Sequence, residues 1–108
     1  MKDILAEDFQ DLVHELLTRH KSILDLITKY QDSNARVNRS IIKAVTNCGC
    51  IQIEGKKQVI PTEATLEEMR NYMDTQLRGS LCENCKEIIE KELGTNLFYL
   101  TALCNTLN

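Results

Sequence analysis

From Phe9 onward, apolar positions recur at steps of four and three. Phe9, Val13, Leu16, His20, Ile23, Ile27, Tyr30, Asn34, Val37, Ile41, Ala44 and Cys48 follow one another without a slip. That spacing lays them along one stripe of an α-helix. No Gly or Pro interrupts the chain from Met1 to Asn47. The pattern predicts either one very long helix or two helices separated near Asp32-Ser33-Asn34, where Asp and Ser are good N-caps. A sustained heptad seam favours packing against a partner helix, within the chain or across an oligomer. Leu12, Leu17, Leu24 and Leu26 widen the stripe into the face of a helical bundle. Two polar residues sit in the seam. His20 reads as a packed residue with one satisfied hydrogen bond or as a ligand, and Asn34 as a register-setting residue or the point of division.

Gly49 is placed to end this helix as the residue after its last turn. Ile51-Gln52-Ile53 and Val59-Ile60 then read as two short strands around a turn at Glu54-Gly55-Lys56-Lys57, closed by Pro61. Thr65-Leu66-Glu67-Glu68 has the form of a capping box. It predicts a helix with Leu66, Met69, Met73 and Leu77 on one face, stopped at Arg78-Gly79. Ser80, with Glu83 three residues on, predicts the cap of a last helix. Ile88, Ile89, Leu93, Leu97, Leu100, Leu103 and Leu107 form the apolar side of that helix, and Gly94 is a point where it can kink or split. The expected fold is all-α: a bundle of four or so helices with one short β-hairpin, as a single domain over residues 1–108.

The chain has 108 residues, a net charge of −3 and no Trp, so a modest core must be built mainly from Leu and Ile. A domain of this size gains from a metal or an oligomer interface. Acidic and basic residues are well mixed, and the absence of a basic stripe argues against a nucleic-acid partner. No apolar run approaches the roughly 20 residues of a membrane span, and the N-terminus has no apolar leader pattern. The expected location is the cytoplasm. There, five cysteines fit a disulfide framework poorly, and the odd number fits it no better.

Four of the five cysteines fall into two close pairs. Cys48 and Cys50 flank Gly49, and Cys82 and Cys85, after 31 intervening residues, form a C-x-x-C at the predicted start of the last helix. Near a helix N-terminus the dipole favours thiolate over thiol. Two such pairs supply the four thiolates of a tetrahedral zinc site, if the hairpin and helix between them bring the pairs together. Thiolates also hold iron–sulfur clusters, a lone C-x-x-C can do redox work, and cysteine can simply fill helix packing. Cys104, in the last apolar helix, reads as a core residue. The two histidines, His14 and His20, are six apart and do not share a helix face.

The stretch Glu92-Leu93-Gly94-Thr95-Asn96-Leu97-Phe98-Tyr99-Leu100-Thr101-Ala102-Leu103-Cys104-Asn105 resembles the last helix of the MazG-like nucleoside triphosphate pyrophosphohydrolases. The resemblance implies an all-α fold that forms dimers or tetramers. It also implies a Mg²⁺ ion held by carboxylates in an E-E-x-x-E motif on one helix and an E-x-x-D motif on the next. Glu92 occupies the first place of the second motif, and Thr95 stands where its Asp would be. For the first motif, Thr46, Asn47 and Cys50 stand where the three glutamates would be, and Gly49 keeps a frequent glycine. One carboxylate of the five remains, and hard Mg²⁺ wants oxygen ligands.

The expectation is therefore a divergent, catalytically degenerate MazG-like protein. Cys48, Cys50, Cys82 and Cys85 would hold a structural zinc, and the chain would form a homo-oligomer with a nucleotide- or protein-binding role. Two alternatives stand beside it. One is an active Mg²⁺-dependent pyrophosphohydrolase using Glu92 with Glu87, Glu90 or another chain's carboxylate. The other is a metal-free helical interaction module.

Overall fold

The computed structural model describes residues 22–108, together with residues 8, 9, 11, 12, 14 and 15. Those six isolated positions are helical, and Phe9 and Leu12 among them are exposed. Val13, Leu16, Leu17 and His20 lie outside the described residues.

Helix α1 (Ile23–Lys43) runs straight through Asp32-Ser33-Asn34. Of the two alternatives, division there does not occur, because each side chain finds a partner that leaves the helical backbone intact. Asp32 accepts from Arg36 Nε one turn on, at 3.0 Å. Ser33 Oγ donates to the carbonyl of Tyr30 at 2.7 Å. These are helix-compatible alternatives to capping. Beyond Lys43 the helix widens into a π-helical turn, Ala44–Cys48, closed by the N–H of Gly49 bonding to Ala44 O. Gly49, at φ +79°, ends it as the sequence predicts.

Strand β1 (Ile51–Ile53) follows at once. Its partner is not Val59-Ile60, which forms no strand, but β2 (Leu77–Gly79), paired antiparallel in the register Ile51↔Gly79, Gln52↔Arg78 and Ile53↔Leu77. The N–H of Glu54 bonds to Gln76 O and extends the ladder. Residues 54–76 thus form one long excursion. Arg78 ties its two ends, reaching Asp74 at 2.6 Å and Glu54 at 3.3 Å, both exposed pairs of small energetic weight. Inside the excursion the capping threonine behaves as read, with Thr65 Oγ1 accepting from the N–H of Glu68. The helix it opens, α2 (Leu66–Met69), lasts a single turn rather than running to Leu77. Leu66 and Met73 are exposed, so no buried face sustains it.

Helix α3 (Glu83–Leu107) is continuous past Gly94. It lies against α1 in the antiparallel sense, with Ser33 meeting Asn96 near the middle and Ala44 meeting Cys85 and Ile89 at one end. Mid-interface, Asn96 Nδ2 donates to Ser33 Oγ at 3.0 Å and also to Asn34 Oδ1. Ser33 is 2% exposed and fully satisfied by this bond and its own to Tyr30. The pair fixes register between two otherwise apolar faces.

The buried line of α1 is Leu26, Ser33 and Ala44, with Tyr30 and Val37 half-buried between them. It shares Tyr30, Val37 and Ala44 with the predicted seam, whereas the seam residues Ile27 and Ile41 face outward. On α3 the buried residues are Cys85, Ile89, Phe98 and Ala102. Ile88, Leu93, Leu97, Leu100 and Leu107 are exposed, and so is Cys104, which is not a core residue. The described residues thus form a mostly helical structure: two long packed helices, one single-turn helix and a two-stranded antiparallel pair. None of the described helices is long and apolar enough to cross a membrane.

Candidate metal centre

Three local devices aim the four cysteines at one point. The π turn carries Cys48 to the end of α1, and left-handed Gly49 turns the chain so that Cys50 follows on the same side. The strand pair then returns the chain, and α3 begins at the cysteines themselves. The N-cap is Cys82, not Ser80: its Sγ accepts from the N–H of Cys85 at 3.4 Å, taking the place of the capping box expected from Ser80 and Glu83. The first turn of α3 is therefore tied to the thiols it presents.

Gly79 completes the arrangement, and the sequence offers no sign of its role. It adopts φ +82°, and a Cβ there would sit 2.5 Å from Cys50 O. Only glycine lets β2 approach the backbone that carries Cys50. Gly79→Ala combines backbone strain with that clash, so we expect a loss of about 1–3 kcal/mol of stability. Metal affinity should fall in the same variant, both read from chelator competition and thermal melts.

The Sγ atoms of Cys48, Cys50, Cys82 and Cys85 all lie within 4.8 Å of one another. Cys48 and Cys82 are 3.8 Å apart. A zinc–sulfur bond of about 2.3 Å implies a tetrahedron edge of roughly 3.8 Å, so this pair already has the spacing of two ligands on one ion. Cys85 is buried, Cys50 and Cys82 are half-buried and Cys48 is exposed. The base of the centre is apolar. Cys85 joins Ala44, Ile51 and Ile89 in a buried cluster, with Val45, Cys50 and Cys82 packed against it.

The electrostatics of the metal-free thiols follow from their crowding. Cys82 is pulled down to about 7, first by the N–H of Cys85 and then by the Cys85 thiol. Cys85 is pushed up to about 12, first because it donates to Cys82 and then by burial. Cys48 is also raised: a hydrogen bond from Cys85 favours its thiolate, but the contacts with Cys82 and Cys50 and its desolvation outweigh that. Four thiols this close cannot all ionise without a cation among them. A divalent ion supplies that cation and displaces their protons.

The four clustered cysteines could hold a metal ion such as zinc. Among the described residues, no other group of three or more His, Cys, Asp and Glu side chains gathers in this way. One point of convergence suits a mononuclear centre better than a cluster whose ligands are spread over several irons. A dithiol redox site would need two of these cysteines and would leave the other pair without a part.

A cleft of about 690 Å³ opens beside the centre, between α1 and the first turns of α3. Glu92, half-buried, lines it from α3, and Asp32 and Asn47 line it from α1 and its π-helical turn. Glu87 and Glu90 are exposed and not part of the lining, and Thr46 and Thr95 are exposed with their hydroxyls on Ile42 O and Lys91 O. His14, the one described histidine, is exposed. No protein family matches the chain, and no curated protein or solved structure matches it either.

Proposed function

We propose that the protein is a non-catalytic, zinc-stabilised helical domain. In it, one zinc ion on Cys48, Cys50, Cys82 and Cys85 locks the strand pair to the helix hairpin. The observation that carries this reading is the convergence of four thiols, drawn from two distant pairs, to within 4.8 Å. A structural zinc closes all four positions with protein ligands, as this set would, whereas a catalytic zinc keeps one open. Free thiols suit a reducing compartment such as the cytoplasm.

The chain's partner in this reading is a second copy of itself. Leu93, Leu97, Leu100 and Leu107 repeat at heptad spacing on the outer side of α3 and are exposed. From Gly94 to Asn108 the sequence carries no charged residue. An outer helix face without charge is suited to burial in a dimer or tetramer. Elemental analysis with light scattering on the same sample tests both points. About one zinc per chain and a dimeric or tetrameric mass are expected, and a Cys82→Ser chain should retain far less zinc. A metal-free, well-folded monomer would overturn the reading.

The MazG resemblance suggests a magnesium-dependent pyrophosphohydrolase as the second reading, and Glu92 in the cleft is the observation in its favour. Its one carboxylate neighbour there, Asp32, is already held by Arg36. We expect no Mg²⁺-dependent release of pyrophosphate from a nucleoside triphosphate panel. Release abolished by Glu92→Gln would establish the hydrolase instead.

A further inference from the structure

The four sulfur atoms of the centre are close together but not equally accessible. Cys48 is exposed, Cys50 and Cys82 are half-buried and Cys85 is buried. A small oxidant in solution therefore meets the Cys48 sulfur first. A thiolate held by a metal is also the nucleophilic form of cysteine. An exposed metal-bound thiolate next to a second one is a place where oxidation can close a disulfide.

The geometry selects the partner. Cys82 Sγ lies 3.8 Å from Cys48 Sγ. A disulfide needs about 2.05 Å between its sulfur atoms, so a closing movement of roughly 2 Å joins them. Each alternative meets an obstacle. Cys50 is separated from Cys48 by Gly49 alone, so a bond between those two would close a small, strained ring. Cys85 is packed with Ala44, Ile51 and Ile89 in the buried cluster and would have to leave it. The favoured pair also crosses the fold. Cys48 ends the π turn after α1, and Cys82 caps α3, so a bond between them ties the same two parts that the ion joins.

We propose that Cys48 and Cys82 are a peroxide-responsive pair, which closes to a disulfide and releases the zinc while keeping the end of α1 tied to the start of α3. The oxidant is hydrogen peroxide. The Cys48 thiolate attacks one peroxide oxygen, an S–O bond forms, the O–O bond breaks and hydroxide leaves. The Cys82 thiolate then attacks the Cys48 sulfur, the S–S bond forms, the S–O bond breaks and a second hydroxide leaves. Two thiolates have lost two electrons, and one peroxide has become two hydroxide ions. The ion keeps only Cys50 and Cys85, half of its ligand set, and departs. A dithiol reductant reverses the bond by exchange, and added zinc then reloads the centre. Such a transient disulfide is the kind a reducing compartment allows. The proposal rests on the zinc reading for the ion it releases, and on the sulfur geometry alone for the bond it forms.

The test uses the zinc-loaded full chain carrying Cys104→Ser. Cys104 is exposed and lies roughly 28 Å from Cys85 along α3 at 1.5 Å per residue, so its removal prevents disulfides between chains without touching the centre. One equivalent of hydrogen peroxide is added with a chromogenic zinc indicator present. Free thiols are then alkylated, and the tryptic digest is mapped by mass spectrometry. Zinc release in step with the loss of two thiols is expected. Residues 44–56 should be joined to residues 79–86, with the alkyl labels on Cys50 and Cys85. The oxidised, zinc-free chain should melt roughly 5 °C or more above the reduced chain stripped by a chelator, because the bond restricts the unfolded chain. Zinc retained after the thiols are lost would overturn the proposal, as would a Cys82–Cys85 or Cys48–Cys50 bond as the main product. Peroxide that leaves all four thiols unchanged would overturn it too, and an oxidised chain melting no higher than the stripped one would overturn the tie. If the purified chain holds no zinc, the metal reading fails by itself, and the same mapping on the metal-free chain still decides the pair.

Discussion

Stripping the metal with a strong chelator is expected to lower the melting temperature by roughly 10 °C or more, as a structural site contributing several kcal/mol would require in a domain this small. The loss should be uneven. The antiparallel pairing of β1 with β2 spans three residue pairs and is joined by residues 54–76, so it has little to hold it once the thiols are released. Helices α1 and α3 keep their own contacts through Leu26, Ser33, Phe98 and Ala102. Hydrogen exchange on the stripped protein should therefore show early loss of protection at Ile51–Ile53 and Leu77–Gly79, with residues 96–102 the last to exchange. Re-addition of zinc should restore both the melt and the protection. A stripped protein with an unchanged melt would make the centre dispensable to the fold.

Phe98→Ala should have the largest effect of any single core substitution. Phe98 is 4% exposed and is the one buried aromatic ring among the described residues. Emptying such a site costs about 3–5 kcal/mol, and the rest of the buried set is short: Leu26, Ala44, Ile51, Cys85, Ile89 and Ala102. Half of these residues are small (Ala44, Cys85 and Ala102), so few neighbours can move in to fill the space. Urea denaturation should place the variant's midpoint far below that of the unaltered chain, with much of the population unfolded near physiological temperature. Leu97→Ala, one residue away and 53% exposed, supplies the contrast. It should leave the stability of each chain nearly unchanged and instead weaken self-association. A small effect at Phe98 would mean that the two helices are not held by the faces described here.

These contrasts show what the sequence could reveal. The two cysteine pairs announced themselves because close spacing of a rare, chemically distinctive residue is visible without any structure. The helix end at Gly49 was legible for a similar local reason, since only a left-handed turn fits there. Which side of α3 is buried was not legible. Leu93, Leu97, Leu100 and Leu107 have the same spacing as a core stripe, and periodicity does not distinguish a face packed within the chain from one left for another. The buried role of Ser33 was equally hidden, because it depends on Asn96, whose amide arrives from 63 residues away.

The strand pairing failed to appear for a third reason. A hairpin read from sequence assumes a short turn, so Val59-Ile60 was the natural partner for Ile51-Gln52-Ile53. The true partner, Leu77–Gly79, was hidden inside an apparent helix whose apolar spacing at Leu66, Met69, Met73 and Leu77 satisfied the helical period. The cap of α3 was displaced by the site itself: Cys82 Sγ took the position that Ser80 would have filled. Local rules gave way where the backbone was committed to bringing four sulfur atoms together.

X-ray absorption at the zinc edge of the purified, chelator-free protein tests that commitment most directly. The expected first shell is four sulfur atoms at about 2.3 Å, with no nitrogen or oxygen neighbour. The Cys82→Ser chain, if it retains any zinc, should show one sulfur fewer. A shell containing nitrogen or oxygen in the unaltered protein, or no zinc signal above background, would contradict a four-cysteine zinc centre.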